Sequence, residues 1–231
     1  MKHRDQRLFP KKVRDLCAIA RSWCAKLETV SSSAGDAGLP ATLARSFAPV
    51  LAGAKPGLGL RGLALLLINA IHQLATRLLE GETAHQQALA ALASPRQRRD
   101  AASRDLYQRL KTFHRVGMEN RCGAVIPPGG LPRRPDRVAA VAAVVRPRLD
   151  CPELKAAFGV ELTPALRPSF DKTVAELAEA SAAVEDGVRR SRETLDDRNA
   201  AMDELRAHIA AARSFHQAIC DLRALDPAGN G

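Results

Sequence analysis

Hydrophobic residues recur at helical spacing along most of this chain. Between residues 170 and 219, positions separated alternately by four and three residues form one seam, and eleven of its fifteen positions are apolar. Such a repeat is typical of a long helix that packs against a partner helix. The seam consists of Phe170, Val174, Leu177, Ser181, Val184, Val188, Ser191, Leu195, Arg198, Met202, Leu205, Ile209, Ala212, His216 and Ile219. The pattern predicts a long helix over residues 167–224.

A second helical pattern covers residues 61–116 and is interrupted only at Ser94-Pro95. There, serine can cap a helix, and proline can either begin a new helix or kink a continuing one. The connector, residues 117–163, opens with a loop rich in proline and glycine, and two short helices are predicted at 136–145 and 152–158. Because this connector would struggle to span a bundle again, the two long helices are predicted to be antiparallel.

The first part of the chain has its own helical pattern. Residues 10–29 form an amphipathic repeat, and two stretches rich in glycine, "SSSAGDAGLP" and "GAKPGLGLRG", flank a short predicted helix at 41–51. We therefore expect a small N-terminal helical region over 1–56 and a long-helix bundle over 57–231. The predicted fold class is all-α, with two long antiparallel, coiled-coil-like helices and shorter helices packed against them.

The two long segments resemble each other. "RDAASRDLYQRL", which starts at Arg99, and "RNAAMDELRAHI", which starts at Arg198, share four identical residues, so an internal duplication is one interpretation. It predicts an antiparallel register in which facing residue numbers sum to 297. Two facing arginines need acidic neighbours when buried, so the register predicts a polar core layer. That layer would contain Arg99, Arg198, Asp100, Asp196 and Glu204, between the facing pairs Leu92–Leu205, Leu78–Ile219 and Phe113–Val184.

The net charge of +10 suggests acidic partners, but its distribution weakens that inference. Lys and Arg outnumber Asp and Glu by eight to three in residues 1–29 and by thirteen to five in 94–150, whereas residues 164–231 hold nine against twelve. Opposite signs within one chain can neutralise each other in the fold. Nucleic-acid binding is therefore the alternative function, with contacts predicted at Arg96, Arg98, Arg104, Arg109, Lys111 and Arg115.

The stretch from Gln97 to Leu110 illustrates this choice. Helical spacing turns Leu106 and Leu110 inward and most of the charged residues outward, while aspartates interleave with the arginines and Tyr107 is the only ring available for base stacking. We favour a solvated helix face over a phosphate-binding surface.

Motifs for catalysis or cofactor binding are missing or incomplete. Neither a phosphate-binding glycine loop nor a Gly-x-Ser-x-Gly turn is present, and Glu82-x-x-His85 is half of a two-metal motif. The pairs Cys17/Cys24 and His216/Cys220 lack the further ligands that zinc requires. We therefore expect no cofactor, no bound metal and no enzymatic activity. A weaker alternative is a bundle enzyme or metal carrier around His72, His85 and Cys220.

The cysteines and the apolar runs bear on location. Five cysteines without CxxC spacing and an N-terminus without an apolar signal segment favour a reducing cytoplasm, with Cys122 as the most reactive thiol. The run Leu63–Ile71 is too short to cross a bilayer and predicts a buried helix face. The sequence thus predicts a cytoplasmic scaffold or protein-interaction module with protein partners, a homo-oligomer being one option, and no membrane association.

Overall fold

The structure, a computed structural model, describes residues 9–33, 38, 59–119, 131–159 and 163–225. In these residues the protein is all-α, as predicted, and the β-structure is limited to one isolated bridge between Gly38 and Gly59. The elements are α1 (Phe9–Ser33), α2 (Leu60–Ala91), α3 (Ala93–Glu119), α4 (Pro135–Val145), a 3-10 turn (Arg146–Asp150), α5 (Pro152–Phe158) and α6 (Thr163–Leu225).

The helices lie close to their predicted positions. The two long predicted segments correspond to α2 with α3 and to α6, and the two short predicted helices correspond to α4 and α5. Proline occupies the first turn of both α4 and α5, where its missing N–H costs no hydrogen bond, and Gly159 ends α5 with a φ of 83°. The predicted helix at 41–51 and most of the predicted loop rich in proline and glycine, residues 121–135, lie outside the described residues.

Helices α2 and α3 form one bent helix. The bend lies at Leu92, whose N–H donates to the Leu89 carbonyl at 3.2 Å, so the local bond spans three residues instead of four. Pro95 has no N–H for the Ala91 carbonyl, and its ring crowds that oxygen. Proline therefore kinks this helix at the place where the sequence left a kink or a break open.

Contacts divide the chain into two compact units, each with its own core. The first unit comprises residues 1–86 and 192–231, and its core combines apolar side chains of α1, α2 and the C-terminal part of α6. Helix α1 packs there through Val13, Ala20 and Leu27. It lies there against the C-terminal part of α6, where the rings of Trp23 and His216 are 5.9 Å apart. The predicted boundary at 56/57 falls outside the described residues and stays a prediction.

The second unit comprises residues 87–191 and closes around phenylalanine rings. Phe113 of α3 lies 5.4 Å from Phe158 of α5 and 5.6 Å from Phe170 of α6, centroid to centroid. The other buried members of this core are Leu106, Leu110, Val138, Ala142, Val145, Leu149 and Leu177. The short connector helices therefore complete a core that two long helices alone would leave open.

The long helices are antiparallel, but the predicted register is wrong. Hydrogen-bonded pairs such as Arg77–Glu204 in the first unit and Thr173–Asp105 in the second have residue numbers that sum to 278–281, not to 297. Leu92 lies against Gly187 instead of Leu205. The contact is so close that a Cβ added to Gly187 would lie 2.5 Å from Leu92 Cδ2. Glycine leaves the space that this leucine occupies.

The seam of α6 is buried with a period of seven. Every seventh residue from Phe170 to Ile219 is buried, and the predicted positions four residues after each of them are half-buried. Of the seven positions three residues later, four are buried as well, namely Thr173, Ala180, Ala201 and Phe215. Both spacings fall on one helix face, and the neighbouring helices decide which of the two is covered more completely.

Asp171 forms an ion pair with Arg146 within the second unit, and this ion pair depends on pH. Arg146 donates from Nε to Oδ1 at 2.8 Å and from Nη2 to Oδ2 at 3.2 Å, and hydrogen bonding to this guanidinium holds the Asp171 pKa below its ordinary value, with Arg167 also contributing. A lowered folded-state pKa contributes stability above the unfolded-state pKa and loses it as pH falls.

We expect Asp171→Asn to lower the urea midpoint at neutral pH, with a difference from wild type that begins to shrink below pH ~4, where the carboxyl group of the unfolded chain becomes protonated, and that disappears as pH falls through the lowered pKa of the folded protein. Urea titrations followed by circular dichroism at neutral and acidic pH measure this difference. Asp136→Asn is the control, since Asp136 pairs with an exposed arginine of its own segment. An Asp171→Asn difference that stays constant across pH contradicts the assignment.

Candidate functional site

A buried polar layer crosses the core of the first unit. Arg198 of α6 is 2% exposed, and its Nη1 donates to Glu82 Oε2 of α2 at 3.0 Å. Its Nη2 donates to Asn199 Oδ1 at 3.0 Å, and His85 Nδ1 lies 3.3 Å from Thr194 Oγ1. Gly81 permits this arrangement, because a Cβ there would lie 3.3 Å from the Arg198 Cα.

The structure does not bring the predicted members of the polar layer together. Arg198 is a buried charge with an acidic partner, but that partner is Glu82 of the Glu82-x-x-His85 motif. Arg99 is part-exposed and pairs with its neighbour Asp100 at 3.0 Å. Of the remaining predicted members, Asp196 is exposed, and Glu204 forms an exposed pair with Arg77 at 3.2 Å.

The candidate metal ligands do not come together in one site. Among the described residues, no group of three or more His, Cys, Asp or Glu side chains could hold a metal ion. Glu82 and His85 face α6 as members of the polar layer, and the exposed His72 lies on another face of α2. Cys220 Sγ lies 3.7 Å from His216 Nδ1 on the surface of α6.

The cysteines fall into two environments. Cys17 and Cys24 are buried free thiols in the first core, and desolvation by burial raises the pKa of both, which disfavours the reactive thiolate. Cys151 and Cys220 are free and exposed. Cys122, predicted to be the most reactive thiol, lies outside the described residues.

The six predicted nucleic-acid contacts lie on α3, and two of them, Arg109 and Arg115, are paired with acids or hydroxyls. Arg109 donates to Asp105 Oδ2 at 3.0 Å and to Ser169 Oγ at 2.7 Å, which ties α3 to α6. Arg115 lies 4.0 Å from Glu119. Arg96, Arg98, Arg104, Lys111 and Arg115 are exposed, and Arg109 is half-buried. As predicted, Leu106 and Leu110 are buried, so this stretch is an amphipathic helix with a solvated charged face.

One face of α2 is exposed and uncharged. Starting at Leu65, seven consecutive positions at alternating spacings of four and three residues are all exposed, and none is charged, although 26% of the chain is Asp, Glu, Lys or Arg. Leu65 and Leu79 are 45% and 47% exposed. This uncharged face of α2 consists of Leu65, Asn69, His72, Thr76, Leu79, Thr83 and Gln86.

Two clefts flank α3 in the second unit. The larger, of about 480 Å³, lies between α3 and α6 over a floor of alanines, including Ala101 and Ala180, and its rim has Arg98 with three acids, Asp105, Glu176 and Glu179. The smaller, of about 270 Å³, is lined by Ser103, Arg104, Tyr107, Gln108 and Arg133. The larger cleft is open because small alanine side chains line it. The smaller cleft lies between α3 and the chain segment that contains Arg133.

The bent helix Leu60–Glu119 is apolar enough to cross a membrane by length and composition. One 18-residue window reaches a mean hydropathy of 1.4, with 33% of that window buried. One such helix is weak evidence for a membrane span, because mostly buried core helices of soluble proteins and N-terminal signal sequences meet the same criterion. Within Leu63–Ile71, the residues Leu63, Ala64, Leu67, Ile68 and Ile71 are buried, so the predicted buried face is present, and the opposite face is the uncharged one.

Together, these features define an all-α protein with a buried polar layer in its first unit, an uncharged exposed helix face and two clefts beside α3. No protein-family model, curated protein or solved structure matches this chain. Function has to be inferred from the surfaces themselves.

Proposed function

We propose that the protein is a non-enzymatic helical interaction module in which the uncharged face of α2 binds a helix of another protein chain. The observation that supports this proposal is the run of seven exposed, uncharged positions on a helix whose opposite face is in the core. Depletion of charge with exposed leucine distinguishes interface centres from ordinary surface. Free cysteines on the described helices also agree with a reducing cytoplasm.

The partner that this face fits first is a second copy of the chain. Each copy has a net charge of +10, so most surfaces would bring like charges together. The uncharged face avoids this repulsion, and in a two-fold dimer the same patch of each copy faces the other. Leucines at two positions, separated by polar but neutral side chains, allow such a face to remain exposed in the monomer.

The expected interaction is weak and reversible. The face from Leu65 to Gln86 is roughly 33 Å long at 1.5 Å per residue. A strip about 10 Å wide then covers on the order of 330 Å², compared with about 800 Å² per partner in stable complexes. We therefore expect dissociation constants in the micromolar range or weaker.

We expect wild-type protein to show a sedimentation coefficient that rises with concentration, and the double variant Leu65→Lys, Leu79→Lys to remain monomeric because it places four cations in the interface. Sedimentation velocity across a concentration series measures this. Ile19→Lys is the matched control, since Ile19 of α1 is 48% exposed but lies off the face. It should associate like wild type.

Three outcomes contradict the proposal. Wild-type protein that stays monomeric at all concentrations removes the second copy as partner. If Ile19→Lys weakens association as strongly as the double variant does, the association is nonspecific. If wild type and Ile19→Lys co-sediment with lipid vesicles and the double variant does not, the face binds a membrane instead.

Nucleic-acid binding through residues 1–29 and 94–150 remains the alternative. Acid pairing of Arg99, Arg109, Arg115, Arg134 and Arg146 supports a solvated surface over a phosphate-binding one. Electrostatic binding that neutralises six or more phosphates would fall by about a thousandfold between low and physiological salt. Nanomolar affinity in a gel-shift assay near physiological salt would favour this alternative.

A further inference from the structure

The smaller cleft beside α3 has a composition suited to an anion. Each of its lining residues has a polar side chain, two of them are arginines, and among the described residues no carboxylate lines it. Arg104 and Arg133 supply the charge, while Ser103, Tyr107 and Gln108 can all donate hydrogen bonds. The cleft therefore combines positive charge with neutral donors.

The side of the cleft formed by α3 follows from helix geometry. Ser103 and Tyr107, like Arg104 and Gln108, are four residues apart, so the four side chains form two adjacent rows on one helix face. Ser103 is buried, and Tyr107 packs at the edge of the second core. Arg104 donates from Nε to the Asp100 carbonyl at 3.2 Å, which aligns its side chain along the helix. Its two Nη groups remain available to other acceptors.

Arg133 is held on the other side by a short anchored segment. Leu131, two residues earlier, packs against the second core. Arg134 is extended, with φ −76° and ψ 134°, and its carbonyl accepts hydrogen bonds from the N–H groups of Arg137 and Val138 at 3.0 and 2.9 Å as α4 begins. Contacts therefore hold the backbone on both sides of Arg133.

These two arginines differ from their neighbours. Arg99, Arg109 and Arg146 each pair with a carboxylate within 3.0 Å. In the part of the chain that the structure describes, neither Arg104 nor Arg133 forms an ion pair. Two guanidiniums lining one cleft repel each other, and a bound anion converts that repulsion into two charge-assisted contacts.

We propose that this cleft binds the phosphate group of a small phosphomonoester. A dianionic phosphate matches two guanidiniums, and its three terminal oxygens can accept further hydrogen bonds from the hydroxyl and amide donors. The volume of about 270 Å³ suits a phosphate with a small organic group, against which the Tyr107 ring can pack. This binding site goes beyond the proposed interaction function and lies in the other unit, so either proposal can fail alone.

Calorimetric titration with phenyl phosphate and with inorganic phosphate tests the proposal on the full chain. We expect both to bind, phenyl phosphate more tightly, and Arg104→Gln and Arg133→Gln each to weaken binding about tenfold or more. Gln108→Glu, which adds a carboxylate to the cleft, should cause a similar loss. Arg115→Gln is the matched control, because Arg115 is an exposed arginine of the same helix outside the cleft. It should bind like wild type.

Several results would overturn the site. These are the absence of phenyl phosphate binding at millimolar concentration, equal weakening by Arg115→Gln, and unchanged binding in both cleft-arginine variants. An oligonucleotide without terminal phosphates that binds more tightly than phenyl phosphate, and loses affinity equally in all three arginine variants, would assign the charge to diffuse nucleic-acid contact. Circular dichroism melts confirm that each variant is folded, and the surface position of Gln108 provides a test should one arginine variant fail to fold.

Discussion

Replacement of Arg198 by leucine alone is expected to destabilise the first unit by about 3–5 kcal/mol. The guanidinium is 2% exposed and lies 3.0 Å from the Glu82 carboxylate, which is itself only 14% exposed. Removal of the cation leaves that carboxylate in the interior without its ionic partner, and burying an uncompensated charge is more costly than the pair is favourable. Urea unfolding followed by circular dichroism measures the loss.

Two further variants identify its cause. The double variant Glu82→Leu, Arg198→Leu should return to near wild-type stability, because apolar residues often replace a buried ion pair without loss. Arg77→Leu, which breaks the exposed pair with Glu204, should change stability by less than about 1 kcal/mol. If Arg198→Leu has the same urea midpoint as wild type, the Glu82–Arg198 ion pair does not contribute to the free energy of unfolding, and this prediction is wrong.

Replacement of Phe170 by alanine is expected to cost about 3–5 kcal/mol and to act on the second unit. The ring is fully buried and lies 5.6 Å from that of Phe113, so its loss opens a cavity where α3 and α6 meet. Hydrogen exchange followed by mass spectrometry should show faster exchange in residues 87–191, with less change in the first unit.

Phe215→Ala is the matched control, since Phe215 is equally buried but belongs to the first core. It should accelerate exchange in α1, in α2 and in the C-terminal part of α6. If both alanine variants raise exchange uniformly along the chain, the two cores unfold as a single cooperative structure and the division into units has no thermodynamic counterpart.

The helices were predictable because their apolar residues repeat at a clear period. Leu177, Leu205 and Ile219 lie seven or a multiple of seven residues apart and are all buried, as the spacing predicts. Proline at the first turn marked the beginnings of α4 and α5. These features depend on local sequence, and local sequence was sufficient to locate them.

The register was not predictable in the same way. A seven-residue repeat lets two helices slide past each other by whole turns while apolar residues still meet, and the observed register differs by about 17 residues, close to five turns. What selects the register is specific: Gly81 permits the close approach of Arg198, and Gly187 accommodates Leu92. The register predicted from a duplication placed Arg99 opposite Arg198 and took no account of these two glycines. Duplication itself stays a prediction.

The surfaces were only partly visible in the sequence. The sequence identifies the arginines of α3 but not their neighbours. Arg104 shares a cleft with Arg133, which is 29 residues away in the chain, whereas Arg109 donates a hydrogen bond to Ser169 of α6. The uncharged face of α2 was readable in principle, since no charged residue occurs at its seven positions. The apolar repeat of the same helix indicates only its buried side, Leu63–Ile71, and a run of neutral residues alone does not show that a face is exposed.

The division into units has a spectroscopic consequence. The sequence contains one tryptophan and one tyrosine. Trp23 belongs to the first unit, where its ring lies 5.9 Å from that of His216 and 4.4 Å from Lys26 Nζ, and Tyr107 belongs to the second. Each unit thus holds a different intrinsic chromophore, so the unfolding of each can be followed optically in the natural sequence, without a label.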